Sequence, residues 1–171
     1  IFGKEIKRYL PPITNKYLIF TRRGIDIKQF PDIEEYLKQY KTQLLPKPDN
    51  FNNNDWPGRK PGNYEWFEIQ DSTEYYREFD KPKIILPDIS TRGNFAFDVM
   101  GGFFCANTAY IIISDDKFLL GILNSKLVTY YYQHLSSSYR GGYLRFIHQY
   151  LNQIPIYNAN YDNPTDKARH D

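Results

Sequence analysis

The sequence predicts a mixed α/β (α+β) domain, a twisted mixed β-sheet with flanking helices. Three observations predict it. Apolar residues recur at helical spacing over residues 31–45 and again over 117–134. Between them, Ile84-Ile85-Leu86 and Ile111-Ile112-Ile113 are short apolar runs without alternation, the pattern of strands covered on both faces. Gly93 and Gly101-Gly102 separate extended stretches where turns are needed. At 171 residues, 41% hydrophobic and 25% charged, the chain can bury a core.

The elements follow in order. Residues 16–20 (Lys-Tyr-Leu-Ile-Phe) read as a short strand. Pro31 opens a helix to about residue 45, with Ile33, Tyr36, Leu37, Tyr40 and Leu44 on one face and Asp32, Glu34 and Glu35 at its positive start. Pro46 and Pro48 stop it, and residues 46–63 form a polar loop rich in Pro, Asn and Gly. Strands are expected at 64–70, 83–87, 95–99 and 110–114, with another possible over 101–106. A helix over 117–134 turns Leu119, Ile122, Leu123, Leu127, Tyr130 and Tyr131 to the core. A loop at 136–142, a short helix near 146–151 and an extended 154–157 complete the body. The expected division is a strand–helix subdomain with its loop (1–62), a main α/β domain (63–157) and a polar, frayed tail (158–171).

Composition narrows the function. The net charge is +2, distributed as +5 over residues 1–60, −4 over 61–100 and +1 over 101–171. A free-standing nucleic-acid binder is usually more basic, so charge alone argues weakly for DNA. Cys105 is the one cysteine, which excludes a disulfide framework and a Cys-based metal site and fits a reducing cytoplasm. Its apolar neighbours Phe103, Phe104 and Ala106 suit a structural thiol rather than a nucleophile. No apolar run approaches a membrane span and no secretory signal opens the chain. Ile1 rather than Met at the start is the expected sign of a chain excised from a longer protein. Aromatics reach 18%, with 16 Tyr and 12 Phe, which suits an aromatic core or a platform for bases or partners.

Several kinds of chemistry leave no trace. The one double proline, Leu10-Pro11-Pro12-Ile13, lacks the polar first and aromatic last residues of a loop that holds a flipped adenine. There is no glycine-rich nucleotide turn and no P-loop, and His134, His148 and His170 are not at metal-ligand spacing. Pro87-Asp88 followed by Asp115-Asp116-Lys117 matches the carboxylate–lysine pattern of a Mg²⁺-dependent nuclease, which makes Asp88, Asp115 and Lys117 an alternative site. The simpler account ends a strand at Asp88 and caps a helix with Ser114-Asp115-Asp116.

Basic loops carry the case for DNA. Arg140 and Arg145 flank Gly141-Gly142-Tyr143. Glycine lets backbone approach phosphate, arginine forks fit guanine edges or phosphates, and a tyrosine stacks or wedges. Arg92-Gly93-Asn94 and Arg22-Arg23-Gly24 have the same character, and Arg59-Lys60 lies in the long polar loop. Trp56 is ambiguous, whereas Trp66 alternates with Tyr64 and suits a core.

The order of short motifs adds a resemblance. Gly3-Lys4-Glu5-Ile6-Lys7-Arg8-Tyr9 opens it, followed by the Tyr-Leu-Ile strand and the helix from Pro31 to Leu37. Trp66-Phe67-Glu68-Ile69, Pro82-Lys83-Ile84-Ile85 and Leu123-Asn124-Ser125-Lys126 come next. Gln149-Tyr150-Leu151 and Ile154-Pro155-Ile156 close it. Together, over about residues 3–157, they resemble the C-terminal specificity (target-recognition) domain of TaqI-like adenine DNA methyltransferases and single-chain type II restriction–modification enzymes. The resemblance implies a fold similar to the recognition domains of type I specificity subunits, facing a covalently linked methyltransferase domain across a double-stranded DNA cleft in a prokaryotic cytoplasm. It implies no catalysis and no cofactor in this chain, with S-adenosylmethionine held by the parent's catalytic domain. Asn124 would be structural, bonding to nearby backbone. The expected DNA-binding residues are Arg22, Arg23, Arg59, Lys60, Arg92, Asn94, Arg140, Tyr143 and Arg145. An aromatic-rich protein- or glycan-binding module is the remaining alternative.

Overall fold

In chain order the elements are α1 (Pro31–Lys38), α2 (Lys41–Leu44), β1 (Lys83–Pro87), β2 (Ile89–Ser90), β3 (Ala96–Asp98), β4 (Ala109–Ile113), α3 (Lys117–Leu123), α4 (Lys126–Leu135), β5 (Ser138–Tyr139), β6 (Tyr143–Arg145), α5 (His148–Leu151) and α6 (Pro164–His170). Short 3-10 turns lie at Gly3–Glu5, Ile27–Gln29 and Glu74–Asp80. The computed structural model describes the chain apart from residues 53, 54, 140, 158, 159, 161 and 171 and the side chains of 138, 139, 169 and 170. The class is mixed α/β, but the strands form two antiparallel three-stranded sheets, β3-β1-β4 and β2-β6-β5, instead of one mixed sheet. Two compact units result: Ile1–Lys16 with Arg77–Asp171, and Tyr17–Tyr76. Residues 1–16 thus pack with the C-terminal part, where the sequence grouped 1–62 together.

In the larger unit, β1 is the central strand and is buried along its whole length. Successive side chains point to opposite faces. Ile84 and Leu86 join Phe95, Phe97, Leu120, Leu123, Val128, Tyr132, Leu144, Phe146 and Ile154 on one side. Ile85 joins Ala96, Ala109 and Ile6 on the other. Two covered faces explain why the strand shows no alternation in sequence. β4 has the same Ile-rich look but lies at the sheet edge, and Tyr110 and Ile113 are exposed. The first core is stapled by aromatics. Tyr132 stacks on Phe146 with centroids 4.6 Å apart, and Phe95 meets Phe146 edge-on at 5.2 Å. Such pairs each add about 0.5–1.5 kcal/mol beyond burial. The Tyr132 hydroxyl donates to the Arg145 carbonyl at 2.7 Å, and burial pushes its ionisation upward. Lys83 and Asp98 lie opposite each other across β1 and β3 as a buried ion pair, supported by the Phe79 carbonyl at 2.6 Å from Lys83 Nζ.

The long helix expected over 117–134 is two helices. Asp116 caps α3, accepting from the Phe118 and Leu119 amides, as the Ser-Asp-Asp sequence predicts. Asn124 ends α3 and Ser125 caps α4 by accepting from the Val128 amide at 3.0 Å. The restart resets the helical phase. Val128 and Tyr132 are buried, while Leu127, Tyr130 and Tyr131, expected in the core, are exposed. The Asn124 side chain, 1% exposed, accepts from the Phe95 amide and donates to the Phe95 carbonyl, both at 2.9 Å. A single side chain thereby extends the ladder beyond the start of β3. Gly93 lies so close to this break that a Cβ would fall 2.6 Å from the Leu123 carbonyl oxygen, so only glycine fits.

The smaller unit has little regular structure. Residues 16–20 form no strand, with Tyr17, Leu18 and Ile19 exposed, and neither do 64–70. The expected helix over 31–45 breaks after Lys38 and resumes at Lys41. Tyr36 and Tyr40 stay exposed and pack edge-on against each other, while Ile33, Leu37 and Leu44 are half-buried. Ile27 and Tyr64 are its buried apolar residues. Polar side chains do much of the holding: buried Glu68 accepts from the Gly24 and Glu65 amides at 2.5 and 2.9 Å. Buried Glu34 pairs with Lys28 and Lys38, and its hydrogen bond to Lys28 holds the carboxyl below the usual carboxylate range. The C-terminal tail, expected to be frayed, carries α6, where buried Asp166 accepts from the Tyr157 hydroxyl and the Asn160 amide. Residues 101–106 form no strand, and 155–157 pair with no sheet.

Asn124→Ala leaves the buried Phe95 amide without a partner and should cost about 2–4 kcal/mol. The urea-unfolding midpoint measures this, and a loss under about 0.5 kcal/mol, the range of ordinary surface changes, would remove Asn124 from its central place.

Candidate nucleic-acid interface

The second sheet brings two of the basic loops together. Ser90 of β2 pairs with Leu144 of β6, so the chain leaving β2 enters Thr91-Arg92-Gly93 beside the turn that precedes β6. Tyr139 pairs with Tyr143 across β5 and β6, and Gly141 and Gly142 lie in the turn that enters β6. Gly141 and Gly142 both have φ +78°, a left-handed conformation that strains side-chain-bearing residues. Tyr143 follows directly, 44% exposed. Arg92 is exposed and has no ion pair or hydrogen bond among the described residues. An unpartnered guanidinium and an exposed phenol thus flank a turn with two left-handed glycines. Arg140 lies outside the described residues.

The other two expected residues of this region have structural partners. Asn94 donates to the Ile6 carbonyl at 3.0 Å and ties the loop to the N-terminal segment. Arg145 faces Asp88, with Nε at 3.3 Å and Nη2 at 3.1 Å from Oδ1 and Nη2 at 3.1 Å from Oδ2. Arg145 is therefore a neutralised, oriented guanidinium rather than the open cation expected from sequence. Reasoning from sequence missed Asp88 in this role, because the two residues are far apart in the chain and adjacent only through the β2–β6 pairing.

The remaining expected residues lie in the smaller unit, where Arg59 is held by backbone. Its Nε donates to the Leu44 carbonyl at 2.7 Å, Nη1 to Glu68 at 2.7 Å, and Nη2 to Trp66 at 2.9 Å and Glu65 at 3.4 Å. The guanidinium also stacks on the Tyr64 ring, 4.6 Å from its centroid. A side chain clamped by four carbonyls ties polypeptide segments together and has little left for a phosphate. Arg23 donates to the Gln70 carbonyl at 2.8 Å. Arg22 is exposed and reaches the Arg23 carbonyl and the Tyr76 ring. Lys60 is exposed, and its carbonyl accepts from the Tyr64 hydroxyl. Trp56 is half-buried, its indole N–H bonded to the Leu45 carbonyl at 3.2 Å, and Trp66 is half-buried rather than core.

The nuclease pattern does not assemble. Asp88 pairs by its amide with the Thr108 carbonyl at one end of β1, whereas Asp115 follows Ile113, which pairs with Lys83 at the other end. The five residues of β4 lie between them, a span of roughly 17 Å before the flanking residues are added. Asp88 is held by Arg145 and Asp116 caps α3. No group of three or more metal-ligating side chains is found among the described residues. Cys105 packs beside Ile6, Ile85, Ala96 and Ala109, and burial pushes its thiol up to about 11. No helix among the described residues is long and apolar enough to cross a membrane.

With this geometry in view, a family model described as the TaqI-like C-terminal specificity domain matches residues 1–156.

Two outcomes follow from the site. Arg59→Ala should loosen the smaller unit, raising amide exchange across residues 44–47 and 59–69, and unchanged protection there would contradict the clamp. The Cys105 thiol keeps its proton more tightly in the folded chain than in the unfolded one, where its value is about 8.5. Its contribution to stability is therefore full below about pH 8.5 and is lost as pH rises toward about 11. Alkylation by iodoacetamide should be slow at pH 8 and climb about tenfold per pH unit above it. A rate that levels off near pH 8.5 would show an ordinary thiol.

Proposed function

The chain belongs to the TaqI-like C-terminal specificity domain family, and from this premise we propose that it reads duplex DNA sequence for an enzyme whose chemistry is done by another domain. The observation that carries the proposal is the pairing of β2 with β6, which gathers Arg92, the Gly141-Gly142 turn and Tyr143 on one side of the larger unit. Arginine discriminates bases by a bidentate contact to guanine O6 and N7 in the major groove. The two glycines let the hairpin turn approach the phosphate backbone, and Tyr143 offers a flat face for stacking or a thymine methyl. In the expected arrangement a covalently linked adenine methyltransferase domain lies across the DNA, flips the target base and supplies the S-adenosylmethionine chemistry. The chain's own task is to select the neighbouring bases. A restriction–modification setting in a prokaryotic cytoplasm follows from the same proposal.

A second reading has one observation behind it. Leu127, Tyr130 and Tyr131 lie exposed on α4, an apolar face of the kind that protein partners cover. It requires that Arg92 and Tyr143 be replaceable without loss of partner binding.

The test compares two probes by fluorescence anisotropy: a duplex enriched from a randomised pool, and the pool itself. Arg92→Ala and Tyr143→Ala should each weaken the enriched duplex by about 1–3 kcal/mol, roughly 5- to 150-fold, with much smaller losses on the pool. Equal losses on both probes would make these residues phosphate contacts, and no loss on either would end the proposal for this loop.

A further inference from the structure

The N-terminal segment runs along the same side of the larger unit as the Arg92 loop. The Gly3 amide donates to Thr108 Oγ1 at 3.0 Å, and the Thr108 carbonyl accepts from the Asp88 amide at 2.9 Å, just before β2. Gly3 fits so tightly that a Cβ would stand 2.3 Å from the Thr108 carbonyl oxygen. Farther along, the Ile6 carbonyl accepts from Asn94 at 3.0 Å and the Tyr9 amide donates to the Phe95 carbonyl at 3.0 Å. These bonds pin residues 3–9 to both ends of the segment from Asp88 to Phe95, with Arg92 between them. Ile6 is 1% exposed, so the segment is anchored by burial as well as by hydrogen bonds.

The charges along this segment are not equivalent. Glu5 is paired with Lys16 and accepts from the Phe2 amide. Arg8 donates to the Asn124 carbonyl at the end of α3 and packs over the Tyr9 ring. Asp88 is held by Arg145. Lys4 and Lys7 are exposed, and their ammonium groups have no ion-pair or hydrogen-bond partner among the described residues. The neighbouring carboxylates, Glu5 and Asp88, are therefore already paired, and two lysines remain open beside an open arginine.

From this arrangement we infer that Lys4 and Lys7 hold backbone phosphates of the duplex whose bases the Arg92–Tyr143 loops read. The inference rests on the DNA-recognition reading above and adds to it a division of labour. A lysine ammonium is a compact, mobile point charge with no fork geometry, which suits a phosphate and not a base edge. Fixed backbone beneath it sets the register of the duplex against Arg92. The sequence grouped these lysines with residues 1–62. Their place beside Arg92 follows only from the Ile6–Asn94 and Tyr9–Phe95 bonds.

The test uses the chain carrying Lys4→Ala and Lys7→Ala together, with its fold checked by circular dichroism, beside the unchanged chain and Arg92→Ala. Each is titrated with the randomised duplex pool between about 50 and 200 mM salt, and the bound fraction is sequenced. The double lysine variant should lower the slope of log affinity against log salt by about 1.8, about 0.9 for each phosphate contact, and enrich the same motif as the unchanged chain. Arg92→Ala should alter the motif. If the unchanged chain binds and enriches a motif but the double variant keeps the full salt slope, the inference is overturned and the DNA reading stands. A motif changed by the lysine substitutions also overturns it, since the lysines would then read bases. If the unchanged chain fails to bind at low salt, the DNA reading falls and takes the inference with it.

Discussion

The buried carboxamide of Asn124 is the interaction on which the candidate interface depends. It satisfies the Phe95 amide and shares the Phe95 carbonyl with the Tyr9 amide, at the point where β3 begins. The same residue ends α3, and its carbonyl accepts from Arg8. Gly93 lies against this junction, and its amide donates to Thr129 on α4 at 3.2 Å. One helix break therefore fixes the loop that carries Arg92 and helps to fix the N-terminal segment beside it. An unsatisfied buried amide costs about 1–3 kcal/mol, so loss of the Asn124 contact would weaken this junction.

Electrostatics then separates cations that look alike in sequence. Arg59, Arg145 and Arg8 are all held by carbonyls or by a carboxylate, and they organise backbone. Arg92, Lys4 and Lys7 are exposed and unpartnered among the described residues. A ligand such as a phosphodiester can pair with the second group without first breaking internal bonds. The arginines of the first group would have to give up contacts that hold the chain together, which makes them poor sites for a reversible partner.

How much was legible in the sequence follows from the range of each interaction. Local rules worked: the Asp116 cap and the β1 strand with two covered faces are readable from neighbouring residues, whereas the structural role of Asn124 came with the family resemblance, because its partner Phe95 is distant in the chain. The strands flanking the two-glycine turn are two and three residues long, too short to show a period in the sequence. The core face of α4 was misassigned because Ser125 restarts the helix, so a single continuous 3.6-residue period carried the phase from α3 past the break. Residues 16–20 and 64–70 have strand-like composition, but strand formation needs a partner and none pairs with them. The Arg145–Asp88 and Arg59–carbonyl contacts join residues brought together only by folding, and composition cannot distinguish a clamped arginine from an open one. The family, by contrast, was legible from the order of short motifs, none of them specific alone.

The central claim is that this chain selects duplexes by sequence. The measurement that tests it most directly is recovery and sequencing of the duplexes it retains from a randomised pool at moderate salt. The account predicts one short enriched motif that persists as salt rises while total retention falls. Retention with no enriched motif at any salt, falling away as salt rises, would contradict it and leave only a backbone-binding surface.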